Sequence, residues 1–259
     1  MNIIWRIRSV ARIYWFRKMV HSLLNRWYKD GRIVNVARGP LKGMKWQCSS
    51  GEQFFMPMGV YEAETADWLL NALNEDSLFI DIGANAGYFT LLAAGKLKRG
   101  KVYAFEPVPS FRASIDNKVR LNSLTNVLIE PFAVSNFSGS EVDFEVEGVG
   151  ANSHLSNIET EQFTRNVSPM KIKVPVTTLD DYCKTNNLRP SVIKMDVEGA
   201  EVLVLQGMGE VLDIIRPKMI ISTHGDELLA DCKKLLLERG YAVDCLKGFH
   251  HELIAIPRN

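Results

Sequence analysis

Short apolar runs alternate with helical patterns along most of this chain, and this alternation constrains the fold more than any other feature. Strands are predicted at 77–82, 101–105, 127–132, 191–195, 218–223, 241–245 and 253–256. Apolar residues at helical spacing predict helices at 87–97, 110–122, 179–185, 202–208 and 227–239. Strands that alternate with helices favour a mostly parallel, doubly wound sheet with helices on both faces. The sequence therefore predicts an α/β fold.

Two segments depart from this alternation. Upstream, short strands are predicted at 33–36, 45–48 and 53–56, followed by a helix at 62–73. Residues 136–178 contain two stretches in which apolar and polar residues alternate, and these predict a β-hairpin insertion. Within it, residues 147–168 are rich in Asn, Ser and Thr, so we expect a loop on the substrate side.

Charge is distributed unevenly between the first 45 residues and the rest of the chain. The 259 residues have a net charge of +1, yet residues 1–45 hold seven Arg and four Lys against one acid, Asp30. Bulky apolar and aromatic residues are interleaved with these cations, which favours a helix that packs on the body or contacts a membrane surface through residues 1–30. We expect a basic, aromatic N-terminal helical arm at 1–45 and the main domain at 46–259. The acidic body argues against nucleic acid as a partner.

The cysteine spacing and the hydropathy indicate the cellular compartment in which the protein is expected. Four cysteines lie far apart without a CxxC pair, and no apolar run is long enough to span a bilayer. This pattern argues against a zinc ribbon and against a disulfide framework, and it fits a reducing compartment. A cytoplasmic location is expected, with peripheral membrane contact as the open alternative.

A turn with two glycines follows the first strand of the alternation. The sequence DIGANAG at 81–87 has the form GxNxG after an acid, and a helix follows. Glycines at such a turn let the backbone approach a ligand closely. The dinucleotide fingerprint has a third glycine and seats a pyrophosphate at the helix N-terminus. Asp81 would repel a pyrophosphate, but it suits a cationic ligand such as the ammonium group of an amino acid.

Two further motifs stand at the ends of other strands of the predicted sheet. Glu106 ends the second strand, where an acid accepts hydrogen bonds from both hydroxyls of a ribose. Glu106 and the glycine turn together describe a nucleoside site whose other end is cationic, which is the shape of S-adenosylmethionine. A third motif, IKMDVEGAE at 193–201, places three carboxylates at the sheet edge where α/β proteins bind ligands. Asp196 is expected to face the substrate.

These residues resemble the FkbM-type family of S-adenosylmethionine-dependent methyltransferases of class I. The matching pieces run in order across residues 59–256: GVYE from 59, DIGANAGYFTLLAA from 81, AFEPVPSF from 104, VTTLDDY from 176, IKMDVEGAEVLVLQG from 193, RP from 216 and HELIAI from 251. The resemblance implies a seven-stranded, Rossmann-like sheet whose last strand is antiparallel. It also implies O-methyl transfer to a hydroxyl of a sugar, a glycan or a small metabolite.

The resemblance also implies roles for individual residues. Asp81, Gly83, Asn85 and Gly87 fall on the loop that holds the methionine part of the cofactor, Glu106 on the ribose acid, Ala133 near the adenine, and Tyr61 and Glu62 on an upstream segment that often closes over the cofactor. One departure concerns Thr223, because an acid often precedes the following histidine in relatives.

The proposed acceptor chemistry leads to candidate catalytic residues. A hydroxyl is a poor nucleophile at neutral pH, so a general base helps its methylation. Asp196 and His224 are the candidate bases, and Glu198 lies beside them at the strand end. Asp196, Glu198 and Asp226 offer oxygen ligands for Mg²⁺, which is a secondary expectation, but no metal site is assigned because no binding loop of recognisable spacing is present.

Two other interpretations stay open at this point. One is an NAD-dependent oxidoreductase, which shares the ribose acid but lacks the third glycine. The other is a non-catalytic protein that binds a cofactor or a membrane surface.

Overall fold

The computed structural model describes residue 24 and residues 26–49, 55–147, 152–155 and 170–258. Most of the membrane-contact segment predicted at 1–30, and with it most of the basic helical arm, lies outside the described residues. Most of the substrate-side loop predicted at 147–168 also lies outside them.

Strands and helices alternate through the described chain as the sequence predicts from residue 77 onwards. The strands are β1 (Ile33–Asn35), β2 (Lys45–Gln47), β3 (Leu78–Ile82), β4 (Lys101–Phe105), β5 (Val127–Glu130), β6 (Ala133–Val134), β7 (Gly139–Glu147), β8 (Asn152–Leu155), β9 (Met170–Thr177), β10 (Val192–Met195), β11 (Lys218–Ser222), β12 (Tyr241–Cys245) and β13 (Glu252–Pro257). The helices with described bounds are α1 (Phe55–Met58), α2 (Ala63–Ala72), α3 (Tyr88–Lys96), α4 (Pro109–Leu121), α5 (Leu179–Thr185), α6 (Glu201–Gln206) and α7 (Asp226–Glu238), with a π-helical turn at Val211–Ile215.

The central sheet has seven strands in the order β12-β13-β11-β10-β3-β4-β5. The five strands from β11 to β5 run parallel to one another, whereas β13 is antiparallel to both β11 and β12. The predicted doubly wound, mostly parallel sheet and its antiparallel last strand are therefore confirmed. The chain reverses its direction of winding between β3 and β10, and ligands of open α/β sheets bind at the carboxyl ends of the strands at such a point.

The central strands are buried on both faces, and their residues alternate between two cores. Ile82, Phe105 and Ile193 pack on the side of α5 and α6. Phe79 and Val192 pack on the opposite side, against residues of α2 and α3. Because side chains alternate along a strand, Asp81 and Lys194 fall on the same side as Phe79 and Val192. Two ionisable residues of neighbouring strands thus lie in a buried, mostly apolar layer.

The N-terminal part packs on the same layer. β1 and β2 form an antiparallel hairpin, inside which the predicted boundary at residue 45 falls. Trp46 of β2 is fully buried in the core that α2 and α3 share. The strand predicted at 53–56 is wrong for its described part, because Phe55–Met58 is a single helical turn. Pro57 lacks the N–H that a strand ladder uses, and Gly59 ends the turn at a φ of 73°.

A second sheet contains the predicted insertion. Its four strands have the order β6-β9-β7-β8, with β7 antiparallel to both β8 and β9. The hairpin prediction is confirmed, and the sheet is larger than one hairpin. For residues 152–155 the predicted loop is wrong, because they form the edge strand β8. An edge strand is stabilised by backbone pairing on one side, so its sequence need not show the apolar alternation of a half-buried strand.

No helix among the described residues combines the length and the apolarity needed to cross a bilayer.

Candidate active site

A cleft opens at the carboxyl ends of β3, β4 and β10, where the winding of the sheet reverses. Its volume is about 650 Å³, including the open mouth. The lining includes Gly83 and Asn85 of the glycine turn, Glu106, a group of phenylalanines, and the carboxylates of Asp196 and Glu198. Both predicted nucleoside motifs and the third acidic motif therefore border one cleft.

Backbone conformation explains the GxNxG pattern of the turn. Gly83, Asn85 and Gly87 have φ values of 79°, 49° and 83°. A Cβ on Gly83 would lie 1.8 Å from the carbonyl oxygen of Asp196, so a larger residue would displace the turn from β10. The N–H groups of Gly83 and the following alanine both donate to the carbonyl of Phe105. The turn is thereby fixed between β10 and β4.

Glu106 is buried at the end of β4, and both of its carboxylate oxygens accept backbone hydrogen bonds. Oε2 accepts from the N–H of Asn85 at 2.7 Å, and Oε1 accepts from the N–H of Val108 at 2.8 Å. Burial raises the pKa of Glu106 to about 7, although these two hydrogen bonds act to lower it. We call residues 83–87 together with Glu106 the glycine-loop half of the cleft.

An aromatic wall stands beside Glu106. It consists of Phe105, Phe111, Phe132 and Phe144, and Ala133 lies within it. A wall of this kind provides apolar and edge or face contacts for a flat ring. Phe144 belongs to β7 of the second sheet, so the insertion contributes directly to the cleft. Phe144 was not predicted as a site residue, and its place in an alternating stretch was its only signal in the sequence.

Opposite the aromatic wall, Asp196, Glu198 and His224 converge from the ends of β10 and β11. His224 Nε2 lies 3.2 Å from Glu198 Oε2 and 3.6 Å from Asp196 Oδ1. Each of the three side chains is between a quarter and a third exposed. The structure thus brings together all three residues predicted to be catalytic. Asp226, which the sequence offered as a magnesium ligand with Asp196 and Glu198, points instead to His250 and His251.

Glu201, at the start of α6, holds His224 from the other side. Its Oε1 lies 2.8 Å from His224 Nδ1 and accepts the N–H of Gly199 at 3.0 Å. Thr223 is not an acid, so in this chain the acid at His224 Nδ1 is Glu201, whereas Asp196 and Glu198 lie near Nε2. In the sequence, Glu201 is one carboxylate of the third motif, at a helix start where an acid is favourable. Its contact with His224 could not be read from the sequence, because the two residues are 23 positions apart.

The charges around His224 decide its protonation. Burial alone would lower the pKa of His224, but the hydrogen bond that its Nδ1–H donates to Glu201 and the charges of Asp196 and Glu198 raise it to about 9. Burial and the charge of Asp196 raise the pKa of Glu198 to about 7. His224 is therefore protonated at neutral pH in this arrangement, which favours a carboxylate over the imidazole as the proton acceptor.

A buried lysine lies beneath this cluster. The side chain of Lys194 is 3% exposed, and its Nζ lies 3.3 Å from Asp196 Oδ2. Burial acts to lower the pKa of Lys194, but the charges of Asp196, Asp81, Glu62 and Glu252 more than offset it and raise the pKa. A lysine inside an apolar strand was a visible signal in the sequence, and it was missed. We call Asp196, Glu198, Glu201, His224 and Lys194 the carboxylate half of the cleft.

Four of the residues predicted to bind the cofactor do not line the cleft: Asp81, Gly87, Tyr61 and Glu62. Asp81 is fully buried and accepts a hydrogen bond from Thr90 Oγ1 at 2.6 Å. Burial raises the pKa of Asp81, and the charge of Lys194 acts to lower it. Tyr61 packs edge-on against Tyr88, with ring centroids 5.1 Å apart. These residues support the loop and the lysine from behind.

The Methyltransferase FkbM domain model matches residues 81–243, which include the glycine turn, Glu106, Asp196, Glu198 and His224. The chain belongs to the FkbM methyltransferase family. Family membership confirms the resemblance seen in the sequence and favours methyl transfer over the hydride transfer of an NAD-dependent enzyme.

Two relatives and one solved structure show how far this FkbM family member resembles known proteins. Hexuronic acid methyltransferase AglP of Haloferax volcanii is 28% identical over 200 residues, covering 76% of this chain and 77% of that protein. Methyltransferase 1 of Beauveria bassiana is 27% identical over 183 residues, covering 65% and 74%. The crystal structure of methyltransferase FkbM from Methylobacillus flagellatus is 18% identical with a TM-score of 0.49, over 71% of this chain and 44% of that one.

Proposed function

We propose that this protein is an S-adenosylmethionine-dependent O-methyltransferase that acts on a hydroxyl of a sugar, a glycan or a small metabolite. The observation that carries the proposal is the cleft itself, which is lined by a rigid acid, an aromatic wall and two carboxylates that contact His224. S-adenosylmethionine, when bound, supplies a methyl group already activated by a positively charged sulfur.

The glycine-loop half has the donor and acceptor chemistry that this cofactor requires. Glu106 is held by backbone N–H groups with its carboxylate on the cleft. There it would accept hydrogen bonds from two ribose hydroxyls of the bound cofactor. The aromatic wall would hold the adenine ring. Gly83 and Asn85 line the path between Glu106 and Asp196, where the methionine part would lie.

The carboxylate half is assigned to the acceptor. Asp196 and Glu198 orient the hydroxyl toward the methyl group, and one of the two carboxylates takes its proton. Orientation of this kind supplies a large part of the rate, because the methyl donor needs no further activation. Glu201 and Lys194 keep the cluster in place. The relative AglP is named a hexuronic acid methyltransferase, and this likeness supports a sugar as the acceptor class.

The cofactor assignment is tested by calorimetric titration of the full-length protein with S-adenosylmethionine, S-adenosylhomocysteine and NAD. We expect the first two ligands to bind and NAD not to bind. Glu106→Ala is expected to weaken both at least tenfold, because it removes the ribose contact. Binding of NAD alone would contradict the proposal. Binding of S-adenosylmethionine without turnover on a broad hydroxyl panel would favour a non-catalytic cofactor-binding protein.

The roles in the carboxylate half are tested by Asp196→Asn and His224→Ala. Each variant is expected to keep S-adenosylhomocysteine binding and to lose turnover by about 100-fold or more, a typical contribution of acid–base groups. The assay is methyl transfer to a panel of sugars and glycosides. Wild-type turnover by both variants would show that the acceptor binds elsewhere.

We also propose peripheral membrane contact through residues 1–30 of a protein located in the cytoplasm. Trp27 is 58% exposed, and the guanidinium of Arg32 lies 4.1 Å from the centre of its ring. A tryptophan beside a cation suits the headgroup region of a bilayer. Co-sedimentation with anionic vesicles, but not with neutral ones, is expected for the full chain and should weaken in Trp15→Ser/Trp27→Ser. If the wild type and the double variant sediment equally with anionic and neutral vesicles, membrane contact through residues 1–30 is ruled out.

A further inference from the structure

The side chains of Asp196, Glu198 and His224 are spaced like the ligands of a metal ion. Among the described residues, Asp196, Glu198 and His224 are the one group of carboxylates and imidazoles whose ligand atoms all lie within 4.8 Å of one another. Atoms bound to one ion at about 2.1 Å are themselves about 3.0–3.5 Å apart. The distances of 3.2 Å and 3.6 Å from His224 Nε2 to the two carboxylates are close to this spacing.

A second observation comes from Glu201, behind the cluster. Its side chain is 0% exposed, and its Oε2 has no hydrogen-bond partner in the described part of the chain. Its Oε1 forms a hydrogen bond with His224 Nδ1, so the other ring nitrogen, Nε2, is directed at Asp196 and Glu198. A carboxylate behind a histidine is the usual outer arrangement of a metal-binding imidazole. A buried carboxylate oxygen without a partner is costly unless positive charge lies nearby.

Asp196 is arranged to present one oxygen to this point. Its Oδ2 lies 3.3 Å from Lys194 Nζ, whereas its Oδ1 faces His224 Nε2. Lys194 therefore occupies one side of the carboxylate and leaves the other for a ligand. Asp196 and Glu198 also line the cleft, so an ion between them would be open to an acceptor.

We propose that Asp196, Glu198 and His224 bind a divalent transition-metal ion of the Mn²⁺ class, with Glu201 as a positioning residue. One imidazole with two carboxylates suits such an ion better than Mg²⁺, which prefers oxygen ligands alone. Three protein ligands leave coordination positions for water and for an acceptor hydroxyl, whose pKa the ion lowers. The catalytic consequence rests on the proposed function, whereas ion binding does not.

The test is a titration of the full-length protein with Mn²⁺, followed by the electron paramagnetic resonance signal of the free ion. One bound ion per chain is expected, and it should resist an equal concentration of Mg²⁺. Glu198→Gln and His224→Ala should each weaken Mn²⁺ binding at least tenfold. Glu201→Gln should weaken it about tenfold, the usual effect of losing the group behind a metal-binding histidine.

Asp226→Asn is the matched control. Asp226 is 83% exposed, lies two positions after His224 and approaches two other histidines, but it is outside the cluster. This variant should bind Mn²⁺ as the wild type does. Loss of Mn²⁺ binding in Asp226→Asn alone would place the ion at His250 and His251 and overturn the proposal.

Two further measurements separate this proposal from folding and from the proposed function. Thermal unfolding and S-adenosylhomocysteine binding should be retained in Glu198→Gln, so that its loss of Mn²⁺ is not a loss of structure. A wild-type protein that binds S-adenosylhomocysteine but no Mn²⁺ at millimolar concentration would refute the metal site and leave the methyltransferase assignment standing. Mn²⁺ binding that Mg²⁺ displaces equally would refute the imidazole ligand.

Discussion

The glycine-loop half and the carboxylate half of the cleft meet where Gly83 packs against the carbonyl of Asp196, but they fix their charges differently. Glu106 is held by two backbone N–H groups. In the carboxylate half, side chains of opposite charge hold one another, as Lys194 and Asp196 do. A charge held by backbone keeps its partners when a neighbouring side chain changes, whereas removal of one buried ion leaves the other unpaired. The two halves should therefore respond to different substitutions.

Lys194→Met should have the largest effect on the fold. It removes a buried positive charge that four carboxylates stabilise, from Asp196, Asp81, Glu62 and Glu252. Loss of one partner of a buried ion pair costs about 3–5 kcal/mol, and we expect a fall of this size in the free energy of unfolding measured in urea.

An exposed lysine provides the control for that comparison. Lys184 lies in the last turn of α5 at the surface, and Lys184→Met should change stability by less than about 0.5 kcal/mol. If the two variants lose the same stability, the carboxylate half does not depend on its buried cation.

Gly83→Ala should distort the backbone of the glycine-loop half and thereby destabilise it. The new Cβ would meet the Asp196 carbonyl oxygen at 1.8 Å, at a φ of 79°. We expect a loss of about 3 kcal/mol in unfolding free energy, together with loss of S-adenosylhomocysteine binding. Gly43→Ala is the matched control, because Gly43 has a φ of 89° but its Cβ would meet nothing within 4 Å. It should lose about 1 kcal/mol, the cost of the left-handed conformation alone. Equal losses in the two variants would show that the clash is relieved.

The difference between local backbone contacts and contacts between distant side chains also explains how much could be predicted from the sequence. The mostly parallel sheet and the place of Glu106 follow from local patterns, because each βα turn comes directly after its strand. The position of Asp196 at the cleft follows for the same reason. These features can be predicted from the spacing of apolar residues along the chain and from the rule that ligands bind at the carboxyl edge of a parallel sheet. The antiparallel last strand was predicted only from the resemblance to the FkbM family.

The parts that could not be predicted depend on tertiary approach. Glu201 contacts His224 although 23 positions separate them, and Phe144 reaches the cleft from the second sheet. Asp81 was expected to contact a ligand directly, but the alternation of β3 places it in a buried layer beside Lys194. The short helical turn Phe55–Met58 was predicted as a strand, because four residues are too few to distinguish the helical period of side chains from the strand period.

The acidity of Glu106 gives a smaller, pH-dependent test of the glycine-loop half. Burial raises its pKa from 4.5 to about 7 in the folded protein. Between these values the folded protein holds a proton that the unfolded chain has lost, so Glu106 makes the fold less stable as the pH rises. The stability of the wild type relative to Glu106→Gln should fall by about 2 kcal/mol between pH 5 and pH 7.5 in urea unfolding. A pH-independent difference would contradict the raised pKa.

The contribution of the second sheet to the glycine-loop half should be the smallest effect. Phe144 lines the cleft from β7, so Phe144→Leu removes part of the aromatic wall while keeping an apolar side chain. An aromatic contact contributes about 0.5–1.5 kcal/mol, which predicts a two- to tenfold weaker binding of S-adenosylhomocysteine by calorimetry. Phe137 is 46% exposed just before the same strand, and Phe137→Leu should leave that affinity unchanged. If the two substitutions have equal effects, the second sheet supports the fold only, and the specificity of the aromatic wall comes from β4, α4 and the segment between β5 and β6.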